Sequence, residues 1–283
     1  MPTPKNLEAA YWDYSLNTTI GCKPIGPSCK FCYAPRLVVP YAEGWQAGEQ
    51  GLYHDVVDVI NGQPVFNGTL RTLPAGDREW TKPLRWKGAE HPKLGAGQPS
   101  LIFLTTMGDL LHDDRPQWAI DRTCALVAQS DHIGLVVTRH SVRAAQYFGT
   151  LDSRTARTWR RKLWLIFSAA NQPEFDDHWT KMRSLAANGW FVGVSCSPLI
   201  GGIVLPDDLL ALGRWVIVNG ECGGPFVPNE RLRPMRVRWA FALLDQCTAA
   251  GIPFFMRGMG KNRPIPKKLQ VREFPKAACT CGS

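Results

Sequence analysis

Three of the nine cysteines of this 283-residue chain fall within "GCKPIGPSCKFCYA", residues 21–34, with the spacing C-x6-C-x2-C. Cys22, Cys29 and Cys32 form a thiolate set that can bind metal, and the question is which metal wants three. A structural zinc ion asks for four ligands, commonly two C-x2-C pairs. Only Cys29 and Cys32 make such a pair; Cys279 and Cys281, a C-x-C near the end of the chain, would have to complete the set. A redox C-x-x-C leaves Cys22 without a role. A four-iron cluster has four metal corners, so three cysteines hold it and leave one iron open to an amine and a carboxylate of a small molecule.

These cysteines need a scaffold, and the chain supplies a recurrent one. Apolar runs "LIFLTT" (101–106), "IGLVVT" (133–138), "LWLIFS" (163–168), "WFVGVS" (190–195), "WVIV" (215–218) and "IPFFM" (252–256) each give way to polar residues. Most then lead into a helix-like segment. Short continuous apolar runs alternating with helices predict parallel strands covered on both faces. Repeated βα units build an open doubly wound sheet or a barrel, and the C-terminal strand ends converge on one rim. No G-x-G-x-x-G opens a helix after the first strand and no Walker lysine motif occurs, so a nicotinamide or ATP site lacks its phosphate loop. The stretch 45–100, rich in Gly and Pro, reads as an elaborated connection whose "WTKPLRW" packs over a barrel face.

Composition narrows the class further. A hydrophobic content of 45% is that of an ordinary globular protein, and no apolar run approaches the roughly 20 residues that cross a bilayer. The start, "MPTPKNLEAAYWDY", carries no basic-then-apolar signal pattern, and the reading is a cytoplasmic protein without a membrane partner. Thirty-three Lys and Arg against 24 Asp and Glu give a formal charge of +9, concentrated in "SRTARTWRRK" (153–162) and near the C-terminus. Such an excess favours anionic partners, nucleic acid or a nucleotide-like substrate first among them.

The ordered motifs resemble the radical S-adenosylmethionine (SAM) superfamily, and within it a phage-associated family with a three-cysteine motif. Phe31 stands where that superfamily places an aromatic before its last cysteine, although the first gap is six residues rather than three. "LNTTIGC", "CYA", "TTMGDLLHDD", "LWLIFSAANQPEFDD", "SCSPLIGG", "WVIVNGECGG" and "IPFFMRGMG" follow the family's blocks in order, from about residue 11 to 260. The resemblance implies an open, TIM-like partial barrel of about six βα units over residues 1–262, with 263–283 a basic, cysteine-containing tail. It implies a [4Fe-4S] cluster on Cys22, Cys29 and Cys32, with SAM on its open iron and an electron donor such as a flavodoxin or ferredoxin.

Around SAM the resemblance assigns Tyr33 to border the adenine, and Met107, Gly108 and Asp109 to receive the amino group. Helix capping is the rival role for Asp109. Ser168 and Asn171 would contact ribose and carboxylate, Glu221 a hydroxyl, and Arg139 and Arg257 a carboxylate or a substrate phosphate. Cys196, at a strand end, is the candidate hydrogen-atom donor. The implied activity is reductive cleavage of SAM, acting on nucleic acid or a nucleobase-type substrate in phage DNA modification or repair. A free metabolite such as a modified-purine precursor is the second reading, and a non-catalytic zinc module that binds DNA the third.

Overall fold

A computed structural model describes residues 10–42, 52–222 and 227–276. Seven strands make one parallel sheet, curled as a half-barrel: β1 (Tyr14–Leu16), β6 (Leu101–Leu104), β7 (Ile133–Thr138), β8 (Leu163–Ser168), β9 (Phe191–Cys196), β10 (Val216–Asn219) and β11 (Phe254–Gly258), paired in that order. Six of them coincide with the apolar runs. The seventh, β1, is short and part-exposed, and takes its place by pairing Tyr14, Ser15 and Leu16 with Ile102, Phe103 and Leu104.

Side chains alternate between the two faces of each strand, as a period of two requires. Phe103, Leu135, Trp164, Ile166, Trp215, Ile217 and Phe255 fill the concave interior together with Tyr11. Ile102, Leu104, Val136, Leu165, Phe167, Val192, Val194, Val216, Val218 and Met256 face outward to the helices. Both faces are buried, which is why the strands read as unbroken apolar runs.

The helical cover follows the chain order. It comprises α1 (Ala34–Ala42), α2 (Lys82–Arg85), α3 (Gln117–Gln129), α4 (Ser141–Gly149), α5 (Ser153–Arg160), α6 (Gln172–Ala187), α7 (Asp207–Leu212) and α8 (Val237–Ala250). Asp152 caps α5 by accepting from the N–H groups of Arg154 and Thr155, and Asn171 caps α6 by accepting from that of Glu174. Such caps satisfy N–H groups that the helix itself leaves orphaned.

The connection before β6 carries two small antiparallel pairs: β2 (Thr19–Ile20) with β5 (Arg71–Thr72), and the hairpin β3 (Val57–Ile60) with β4 (Gln63–Phe66). An Asn61–Gly62 turn with both residues at positive φ closes the hairpin, the geometry that twists with its strands. Trp86 of the "WTKPLRW" stretch stacks on Tyr14 at 4.5 Å, so this segment does pack over the barrel edge.

The tail expected to start at residue 263 is, as far as Lys276, part of the barrel. Met256 N–H donates to Val271 O (2.8 Å) and Glu273 N–H to Phe254 O (2.9 Å), covering the free edge of β11. Leu269 is fully buried, and Phe274 packs on Trp215 and Phe255. Cys279 and Cys281 lie outside the described residues. No described helix is long and apolar enough to cross a membrane.

Candidate functional site

The C-terminal ends of β6 to β11 surround one cavity at the upper mouth of the half-barrel, and the cysteine loop closes over it. Cys22, Cys29, Cys32, Tyr33, Gly108, Asp109, Arg139, Ser168, Glu221 and Arg257 all line this cavity. Ten of the thirteen residues expected at the site are therefore brought together.

The loop is placed by backbone contact. Gly21 N–H donates to Met107 O at 3.0 Å, and Gly21 and Gly108 lie so close that a Cβ on Gly108 would sit 2.4 Å from Gly21 O. Two glycines let the chain bearing Cys22 abut the exit of β6. From there a single 3-10 turn, Pro27–Cys29, and a further turn with Cys32 N–H donating to Cys29 O (3.2 Å) carry the other two thiols round. Gln63 of the hairpin supports the loop by donating to Lys30 O (2.8 Å).

Two arginines fasten the loop to the exit of β10. Buried Arg36 donates to Phe31 O (3.1 Å) and to Cys222 O (2.7 Å). Arg233 donates to Pro27 O (2.8 Å) and forms a short bidentate pair with Glu221, whose carboxylate also accepts from Arg233 N–H (2.8 Å). Glu221 is thus the buried half of a clasp, 3% exposed, with its oxygens engaged inside the protein.

Asp109 is a strut as well as a lining residue. Oδ1 accepts from Leu111 N–H (2.9 Å) and Thr138 Oγ1 (2.8 Å), and Oδ2 from Arg139 N–H (2.9 Å). A carboxylate offers about four acceptor directions, so one remains open on Oδ2. The Arg139 guanidinium donates to Ser28 Oγ (2.6 Å) and Ser197 O (3.0 Å) and pairs with Glu174 at 3.5 Å. Arg257 lies over the Trp12 ring, 5.1 Å from its centroid.

The three thiols are free and half-buried. Burial pushes the Cys22 thiol well up, and Asp109 and the other two cysteines push it further; burial raises Cys32 too. Left to itself this cavity keeps the Cys22 and Cys32 thiols protonated, and a cation beside them would reverse that preference. Among the described residues no group of three or more His, Cys, Asp or Glu is placed to hold a metal ion. A four-iron cluster asks for something else, one thiolate per iron around its periphery. Three unpaired thiols that line one cavity are of the chemistry that donor set requires.

Three expected residues are placed elsewhere. Cys196 is fully buried on the outer face of β9, among the helix-packing side chains, and cannot reach the cavity. Its neighbour Ser195 lines the cavity instead, because successive strand residues point to opposite faces. Asn171 is occupied as the cap of α6, and Met107 packs behind the cysteine loop with Ile20, Val38 and Phe66. Tyr11, Ser28, Ser195, Asn219 and Cys222 line the cavity without having been singled out. Cys222 is an exposed fourth thiol at its edge. The block "NGECGG" at a strand end was its available signal.

No curated protein and no solved structure matches this chain. A family model described as a protein of unknown function, DUF5131, matches residues 6–277, nearly the whole sequence, and the chain belongs to that family.

Proposed function

We propose that this protein is a radical SAM enzyme acting on nucleic acid or a nucleobase-type substrate, with Cys22, Cys29 and Cys32 as the ligands of a [4Fe-4S] cluster. The observation that carries the reading is the set of three free thiols lining one cavity with the polar ends of a parallel half-barrel. When bound, the cluster supplies the electron that cleaves SAM into methionine and a 5′-deoxyadenosyl radical able to take hydrogen from a substrate. The chain's own residues bind and orient. The free direction on Asp109 suits an ammonium group, and Arg139 and Arg257 suit a carboxylate. Ser168 and Ser195 offer hydroxyls to ribose, and the aromatic floor of Tyr11 and Phe103 excludes water from below.

The cavity holds about 150 Å³, less than the roughly 300 Å³ or more that pockets for drug-sized ligands occupy. The reading therefore requires side chains at the mouth to move on binding. Tyr33, 37% exposed, and Arg139, held mainly by two hydroxyl and carbonyl contacts, are the ones able to do so.

The test is anaerobic isolation and reconstitution with iron and sulfide, followed by reduction in the presence of SAM. About four irons per chain and release of 5′-deoxyadenosine are expected, both abolished when Cys22, Cys29 and Cys32 are replaced by Ala. Zinc in place of iron, or a loaded cluster that never yields 5′-deoxyadenosine, would sink the reading.

A further inference from the structure

The N-terminal ends of the same strands open onto a second, larger cleft at the lower mouth of the half-barrel, of about 800 Å³. Pro99, Ile133, Lys162, Phe191, Arg214 and Pro253, at or just before the starts of β6 to β11, contribute to its wall. An aromatic layer of Tyr11, Phe103, Trp164, Trp215 and Phe255 lies between the two mouths. Strands of about six residues at about 3.3 Å each set them roughly 20 Å apart.

The charge of this cleft is one-sided. Arg160, Arg161, Lys162, Arg214 and Lys276 line it and no carboxylate does. None of the five takes part in an ion pair among the described residues. The acids that come near stay outside the lining: Asp131 acts on Lys162, and Glu273 accepts from Phe254 N–H.

Part of this charge has an internal explanation. The C-terminal ends of α5, α6, α7 and α8 reach the lower mouth, and each helix end carries about half a negative charge. Four such ends amount to about two charges against five cations, and they leave a surplus.

We propose that the lower mouth is a docking site for the phosphodiester backbone of nucleic acid, read by charge and not by base. A protein partner would be anchored by aromatic or aliphatic side chains entering pockets. None of the large exposed apolar side chains lies in this cleft, and Phe191 is already stacked on Trp164 at 4.2 Å. Lys162 donates to Ser130 O (2.9 Å) and Arg160 lies over the Trp190 ring, so the exposed Arg161, Arg214 and Lys276 are the cations free to meet phosphate. The site goes beyond the reading of the upper mouth and does not depend on a cluster there. It would hold a long polyanion against the protein while the upper mouth stays open.

The probe is a fluorescently labelled duplex DNA of arbitrary sequence, titrated with the full chain, with and without reconstituted iron, at several salt concentrations. Arg161, Arg214 and Lys276 are exposed, and no side-chain hydrogen bond of theirs holds the fold. Replacing all three by Ala should weaken binding about tenfold or more and flatten the slope of log K against log salt by about two to three units. A control removing three exposed cations that do not line the cleft, Arg78, Arg85 and Arg238, should leave affinity within about threefold, since distant charges are largely screened. Glu at the three cleft positions should weaken binding further than Ala with an unchanged melting temperature. Equal weakening by the cleft and control variants would overturn the site, as would failure of the wild-type chain to bind DNA at low salt. So would competition by polyglutamate as effective as that by DNA, which would assign the cleft to an acidic protein.

Discussion

A buried carboxylate is tolerated only when its partners are in place, and Glu221 is the clearest case here. Its side chain is 2% exposed, whereas that of its partner Arg233 is 28% exposed. Arg233→Met would leave the carboxylate desolvated and unpaired, a change that costs about 3–5 kcal/mol at fully buried sites. With one partner facing water the loss should lie near the lower end. Glu221→Gln should cost less, because it removes the charge that needs pairing, and the double variant less than the sum. Urea unfolding of the four proteins checks this; strict additivity would mean the clasp does not couple the two residues.

Histidines add a pH term of defined sign. Burial lowers His112 and His178 below the ordinary imidazole value, aided by His140 for the first and Arg139 for the second. The unfolded chain therefore takes up protons near pH 6.5 that the folded chain refuses. The histidines' contribution should be fully present above that value and be lost as pH drops below it, by up to about 1.4 kcal/mol per unit for each histidine. Asn at both positions should flatten the profile between pH 7 and 5.5, and an unchanged slope would show that neither group is responsible. The clasp was not legible in the sequence, where Glu221 stands as a ligand for a hydroxyl, because its partner Arg233 is twelve residues on and folds back on it.

At the level of elements, the decisive contact is between two backbones. Gly108→Ala would press a methyl against Gly21 O at 2.4 Å, and neither side can yield as a flexible side chain would. Overpacking of this kind costs about 1–3 kcal/mol. The cysteine loop should lift from the exit of β6, and Cys22, whose thiol burial now holds protonated, should react faster with a thiol reagent. Unchanged stability and unchanged reactivity would mean that the arginine clasps alone place the loop. The strands were legible because a strand buried on both faces is a run of apolar residues. The same double burial hid which face is concave: in "FVGVSC" no polar alternation separates Ser195 from Cys196. Sequence reasoning located the strand end to within one residue, and one residue decides the face. β1 carries no apolar run for the opposite reason, being three residues long with Ser15 exposed, and draws its position from β6.

For the whole molecule, the open barrel poses an edge problem at β11, which among the described residues has no eighth strand beside it. Residues 263–276 answer it. Phe255 bridges Arg272 in antiparallel fashion, and Trp215 Nε1 donates to Glu273 O at 3.0 Å from inside the barrel. Arg263 ties the start of the segment to Met235 O at 2.6 Å. A chain ending at Asn262 would lose the burial of Leu269 and half that of Phe274, about 2–4.5 kcal/mol at about 1.5–3 kcal/mol per fully buried large side chain. It would also expose the backbone groups of β11 as a template for other chains. Against a total stability of about 5–15 kcal/mol, that loss takes a large share. The truncated protein should therefore be aggregation-prone, with its melting temperature lowered well beyond scatter. A chain ending at Lys276 keeps every one of these contacts and is the matched comparison. The comparison is made by expressing both truncations and the full chain side by side and measuring soluble yield and thermal unfolding. A soluble 1–262 chain with an unshifted melting temperature would show that the barrel closes without this segment, and the edge of β11 would then need another explanation.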